Sequence, residues 1–97
     1  MITGHGEKMI VQGPITIDNV VDITERGKAY LDRPRQVVDL QQITSVDSSV
    51  ISMMLEWLRT ARLQGCQLQF INLPPNLATL IQLYGIVEMI PASELPH

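Results

Sequence analysis

The chain has 97 residues, with seven Lys and Arg, ten Asp and Glu, and a formal net charge of −3. A folded chain of this length buries about two thirds of the surface that it exposes when unfolded, which is enough for one hydrophobic core but not for two. Hydrophobic residues make up 45% of the chain and charged residues 18%, which argues against intrinsic disorder. We therefore expect a single domain over residues 1–97.

The charges and the reactive side chains exclude several classes of function. The acidic balance argues against nucleic-acid binding, because neutralising phosphates requires clustered Lys and Arg. The single cysteine, Cys66, excludes a disulfide framework and a cysteine-based metal site. The only histidines, His5 and His97, lie near the chain ends, and no metal-ligand spacing or phosphate-binding loop is present. We expect a protein that is not an enzyme and that holds no cofactor or metal.

The sequence also carries no sign of export or membrane insertion. No basic segment followed by an apolar run opens the chain, as a secretory signal would require. The longest run of consecutive apolar residues is three, far too short to cross a bilayer. These patterns predict a cytoplasmic domain without direct membrane insertion.

The first half of the chain predicts two strands and a helix. Short apolar runs at 8–12 and 15–17, with Gly and Pro between them, are typical of strands. A helix follows, with Asp18 or Asn19 as its cap. The sequence Asp-Arg-Pro at 32–34 ends the helix, because proline disfavours helical geometry in the residue before it. The apolar stripe of this helix consists of Val20, Ile23, Gly27 and Leu31.

The second half predicts two further strands, at 36–40 and 68–72, each followed by a helix. The longer helix opens at 47–49 and runs to about Gln64, and Gly65 supplies its left-handed end. The last helix covers 77–84. The helical period of 3.6 residues is followed by Ile51, Met54, Leu55, Leu58, Ala61 and Arg62, which form the first stripe of the longer helix. Alternating strands and helices with short links predict an α/β domain, with a mixed β-sheet and helices packed on it.

Asp47, Ser48 and Ser49 lie where the longer helix follows a strand, at the edge of an α/β sheet where ligands and partners usually bind. One interpretation is that one of the three side chains simply caps the helix. A second is that Ser48 is phosphorylated, since a helix N-terminus offers unpaired N–H groups and partial positive charge. A third is direct contact between unmodified Ser48 and a partner.

A second apolar stripe of the longer helix consists of Val50, Met53 and Trp57. Ordinary core packing explains such a stripe. It could also be a partner-binding surface, because tryptophan and methionine are enriched in the centres of interfaces.

Residues 36–91 resemble the STAS family, the sulfate-transporter and anti-sigma-factor-antagonist domain. The resemblance implies a small α/β domain with a mixed sheet and several helices. It is carried by the strand 37–40, the turn 46–49, the helix end 61–65, the strand 68–72, and Leu77, Leu80, Leu83, Tyr84, Gly85 and Ile86.

The signature of this family is an Asp, then a Ser or Thr, and then a glycine near the start of the helix. Here the pair is Asp47-Ser48, and Val50 stands at the position that usually holds glycine. In partner-switching relatives an anti-sigma factor kinase phosphorylates the hydroxyl after the Asp. The resemblance therefore implies Ser48 as the site of phosphorylation or partner binding.

The C-terminal pattern, with Ile86, Met89, Ile90 and Pro91, is similar to that of the MlaB-like STAS subunit of Mla phospholipid transporters. This implies a non-enzymatic cytoplasmic subunit that binds the ATPase of an ABC transporter and, through it, the permease, peripheral to the inner membrane. Such complexes maintain the lipid asymmetry of the outer membrane in Gram-negative bacteria. The partner-binding residues would be Asp47, Ser48, Ser49, Val50, Met53 and Trp57, with Trp57 as an anchor. The alternative is an anti-sigma factor antagonist that works by partner switching through phosphorylation of Ser48, and a nucleotide-binding enzyme is a further one.

Overall fold

A computed structural model describes residues 1–85, and within them six strands and three helices follow one another along the chain. In chain order these are β1 (Ile2–His5), β2 (Lys8–Val11), β3 (Gly13–Ile15), α1 (Val20–Lys28), β4 (Arg35–Asp39), β5 (Ile43–Val46), α2 (Ser49–Gln64), β6 (Gln67–Ile71) and α3 (Pro75–Leu83).

The main sheet has four strands in the order β1-β2-β4-β6, and β3 and β5 form a separate parallel pair. β1 is antiparallel to β2, whereas β2, β4 and β6 are mutually parallel, so the sheet is mixed. Met9, Val38 and Phe70 are paired across the three parallel strands, and all three side chains are fully buried. The predicted α/β architecture with a mixed sheet is thereby confirmed.

The structure adds two strands, β1 and β5, that the sequence pattern did not predict. β1 pairs with β2 through a tight turn in which Gly6 has a φ of 61°. β5 pairs with β3, but only Ile43 among its residues is buried, so it lacks the alternation that marks a strand. The expected strand at 15–17 ends at Ile15, because the Thr16 carbonyl accepts hydrogen bonds from the amides of Asn19 and Val20 and turns the chain into α1. The apolar residues Ile86, Met89 and Ile90 lie outside the described residues.

The helices α1 and α2 pack against each other through the Trp57 side chain. The indole ring is fully buried, and its Nε1 donates a hydrogen bond of 2.9 Å to the Thr24 carbonyl. A Cβ atom at Gly27 would overlap this ring. Gly27 therefore lies in the apolar stripe of α1 because only a residue without a side chain lets the two helices approach this closely.

We expect Gly27→Ala to destabilise the protein, although alanine favours a helix over glycine by about 1 kcal/mol. The added methyl group forces the Trp57 ring out of position, and overpacking of this kind costs about 1–3 kcal/mol. Urea unfolding measures the free energy of unfolding. Val21→Ala, on the exposed side of the same helix, is the matched control and should leave it almost unchanged. A Gly27→Ala protein as stable as the wild type would contradict the packing described here.

Candidate functional site

The Asp47 carboxylate joins the end of β3 to the start of α2. Its Oδ2 accepts a hydrogen bond of 3.0 Å from the Ile17 amide. Its Oδ1 accepts one of 2.9 Å from the Ser49 amide and another from the Ser49 hydroxyl. The Asp47 amide in turn donates to the Ile15 carbonyl at 3.3 Å. Asp47 is thus the side chain that caps the first turn of α2.

These hydrogen bonds also keep the Asp47 carboxylate ionised. The Ser49 hydroxyl, followed by the amides of Ile17 and Ser49, holds the pKa of Asp47 below its usual value of 3.8. The edge of the sheet therefore carries a fixed negative charge at neutral pH, immediately before Ser48.

Ser48 takes no part in capping. It occupies the N-cap position of α2, with φ −62° and ψ −15°, and its side chain makes no capping hydrogen bond. Its carbonyl accepts a hydrogen bond from the Ile51 amide at 3.1 Å, while the residue as a whole is exposed. The structure thus assigns the capping role to Asp47, and Ser48 presents a hydroxyl to solvent. Phosphorylation of Ser48 and its direct contact with a partner stay predictions.

The stripe of Val50, Met53 and Trp57 is not the exposed partner-binding surface that the sequence suggested, because all three side chains are fully buried. α2 is covered on two sides: its first stripe reaches the core through Ile51, Met54 and Ala61, and α1 packs on Trp57 of the second stripe through Thr24 and Gly27. Core packing, the other interpretation of this stripe, is what the structure shows. Trp57 cannot serve as an exposed anchor, and Val50 is buried in the core. Neither belongs to the edge of the sheet formed by Asp47, Ser48 and Ser49, which we call the Ser48 edge.

The sequence patterns missed the apolar residues that are exposed near this edge. Ile17 and Val21 are 73% and 74% exposed. Val21 also borders an open groove of about 230 Å³ between α1 and α2, which is lined by Val20, Val21, Thr24, Glu25, Ser52, Met53 and Glu56. A signal was present, since Val21 falls outside the stripe of Val20, Ile23 and Gly27 that faces the core.

Charged residues close the end of this groove that lies away from Ser48. Lys28 forms ion pairs with Glu25 at 2.9 Å and with Glu56 at 3.0 Å, and the Arg59 guanidinium binds Glu56 through two nitrogens. Hydrogen bonds from Arg59 and Lys28 lower the pKa of Glu56 to about 2. Glu56 is thus held as a carboxylate between the two helices.

Within residues 1–85, no group of three or more His, Cys, Asp or Glu side chains is placed to hold a metal ion. Over the same residues, no helix has both the length and the apolar character needed to cross a membrane.

A comparison with protein-family models matches residues 2–91 to the family described as Mlab, STAS domain. This confirms the resemblance noted from the sequence. Curated protein sequences gave no match. Among solved structures, an anti-sigma factor antagonist from Mycobacterium paratuberculosis is similar, with a TM-score of 0.77 at 16% identity over 95% of this chain and 81% of that one. The anti-sigma factor antagonist SpoIIAA in its unphosphorylated form has a TM-score of 0.74 at 12% identity over 97% of this chain and 87% of that one. At these identities the similarity is one of fold.

We expect Asp47→Asn to lower the melting temperature at pH 7, because the neutral amide binds the Ile17 and Ser49 donors less strongly than the carboxylate does. Ser48→Ala should leave the melting temperature unchanged, since its side chain makes no capping hydrogen bond. Asp18→Asn, which changes an exposed aspartate in the loop before α1, is the matched control.

The difference in melting temperature between the wild type and Asp47→Asn should decrease as the pH is lowered. The pKa of Asp47 is lower in the folded protein than in the unfolded chain, so its stabilisation is present above about pH 3.8 and is lost as the pH falls through the folded-state pKa. Melting curves of the wild type and of Asp47→Asn should therefore converge in acid. A difference that persists unchanged at the lowest pH would contradict this assignment.

Proposed function

Because the chain belongs to the MlaB-type STAS domain family, we propose that it is a non-enzymatic subunit of an Mla-type phospholipid-transport ABC complex. In this role it binds the ATPase subunit in the cytoplasm, and through it the permease at the inner membrane. The complex would carry phospholipids between the inner and outer membranes and so maintain the asymmetry of the outer membrane.

The observation that carries this proposal is the family match over residues 2–91, together with the way the Ser48 edge is built. Ser48 lies exposed directly after Asp47, whose carboxylate is held by Ile17 and Ser49. A surface that is already ordered before binding loses little conformational entropy when a partner docks. An edge of this kind suits a subunit that acts by binding and supporting an enzyme.

We expect the tagged full-length chain, purified from the bacterium that encodes it, to bring an ABC ATPase with it. Ser48→Arg should reduce the recovered ATPase about tenfold, because a bulky cation at the centre of the contact blocks close approach. Ser45→Arg changes an exposed serine on β5 and should have no effect. Unchanged melting temperatures establish that both variants are folded. Recovery of no ABC ATPase by the wild type would contradict the proposal.

The alternative function is an anti-sigma factor antagonist that is switched by phosphorylation of Ser48. It is favoured by the fold that the chain shares with SpoIIAA and with the mycobacterial antagonist. A phosphate on Ser48 would meet the N–H groups at the start of α2 and also the neighbouring Asp47 carboxylate. The added charge would change which partner the edge binds.

Intact-mass measurement of the chain isolated from cells distinguishes the two functions. Partner switching predicts a fraction with one added phosphate on Ser48, a kinase among the recovered proteins, and loss of kinase binding in Ser48→Asp. Transport predicts the unmodified mass under all growth conditions together with an ABC ATPase. A phosphorylated Ser48 with no ATPase recovered would favour the alternative.

A further inference from the structure

Ile17 and Val21 form an exposed apolar pair at the N-terminal end of α1. They are four residues apart, about one helical turn, and the hydrogen bond from Val20 to the Thr16 carbonyl gives the segment before Val21 a helical turn. Their side chains are 73% and 74% exposed. The groove between α1 and α2 begins beside Val21. We call Ile17, Val21 and this groove the α1 surface.

The α1 surface is continuous with the Ser48 edge. The Ile17 amide donates to the Asp47 carboxylate at 3.0 Å, which fixes the loop before α1 to the start of α2. Ser52 follows Ser48 by one turn on the same side of α2, and it lines the groove together with Val21. A partner that covers Ser48 therefore has the apolar pair directly beside its footprint.

The charges nearest to Ile17 are acidic. No Lys or Arg occurs at 9–25 or at 36–58, the two stretches that build this end of the helix pair. Asp18 is exposed directly after Ile17, and the ionised Asp47 accepts a hydrogen bond from the Ile17 amide. Asp22 is also exposed, but Arg26 pairs with it at 2.9 Å. The cations of α1 and α2, which are Arg26, Lys28, Arg59 and Arg62, lie further along the two helices. The partner that complements this end is therefore apolar and basic.

We propose that the α1 surface is a docking site for a segment that presents an aliphatic or aromatic side chain bordered by Lys or Arg. The apolar side chain would pack between Ile17 and Val21 at the mouth of the groove, and the basic residue would pair with Asp18. The inference builds on the proposed function, since it specifies which chemistry the ATPase subunit must bring to the contact.

The test places a photo-cross-linking residue at Val21 in the full-length chain, expressed in the bacterium that encodes it. Val21→p-benzoylphenylalanine is compared with Leu63→p-benzoylphenylalanine. Leu63 is a matched control because it is 75% exposed and lies near the C-terminal end of α2, away from Ser48. We expect a cross-linked product from position 21 and none from position 63. Mass spectrometry of the product should find a Lys or Arg about one helical turn from the cross-linked partner residue.

A charge-reversal arm tests the basic part of the contact. Asp18→Lys should lower the yield of the position 21 cross-link about tenfold, because the new cation repels a basic partner. Asp32→Lys reverses an exposed aspartate beyond the end of α1 and should leave the yield unchanged. Melting temperatures confirm that each variant is folded.

Each outcome decides the inference separately from the proposed function. Cross-linking only at position 63, or at neither position, overturns it, as does a partner segment without Lys or Arg or a yield that the charge reversal leaves unchanged. A cross-link at position 21 with the expected chemistry supports it. If that partner is an ABC ATPase, the proposed function is supported as well. If it is another protein, the docking site stands and the transport function fails.

Discussion

The contact between the Trp57 ring and Gly27 sets the distance between α1 and α2, and most of the other features depend on it. A tryptophan can be buried at this point only because Gly27 has no side chain and the Thr24 carbonyl accepts the indole N–H. An open groove of about 230 Å³ lies between the two helices beside Val21. Trp57, which the sequence suggested for an interface, is thus a buried side chain that sets the spacing of the two helices.

A second contact, which is polar, joins the loop before α1 to the start of α2. It lies at the opposite end of the helix pair from Trp57. Asp47 follows β5, yet it accepts a hydrogen bond from Ile17, which follows β3. One carboxylate therefore caps α2 and positions the loop before α1 at the same time. Because Asp47 fulfils this role, the adjacent Ser48 is left with its hydroxyl exposed. Of these two neighbouring residues, only Asp47 has a structural role through its side chain.

The sequence pattern predicts the elements that bury a regular apolar stripe. It does not predict the strands that are stabilised by backbone pairing alone. α2, its end at Gly65 and the strand β6 follow from apolar periodicity and from the left-handed glycine. β1 and β5 did not, because their stability comes from backbone pairing with β2 and β3. Apolar periodicity also could not show whether Trp57 is buried or exposed, since a helix that is covered on two sides buries two stripes. That Asp47, and not Ser48, caps α2 depended on the position of Ile17, 30 residues away along the chain.

The parallel arrangement of β2, β4 and β6 has a consequence for how the protein folds. Each pairing joins strands that are separated by a helix, so the chain must close a long loop before any hydrogen bond between those strands can form. β3 and β5 are likewise separated by α1 and β4, and their pairing brings Asp47 to Ile17. The Ser48 edge is therefore completed only when distant segments have assembled. A protein that bound this edge would therefore bind the fully folded chain and not a folding intermediate.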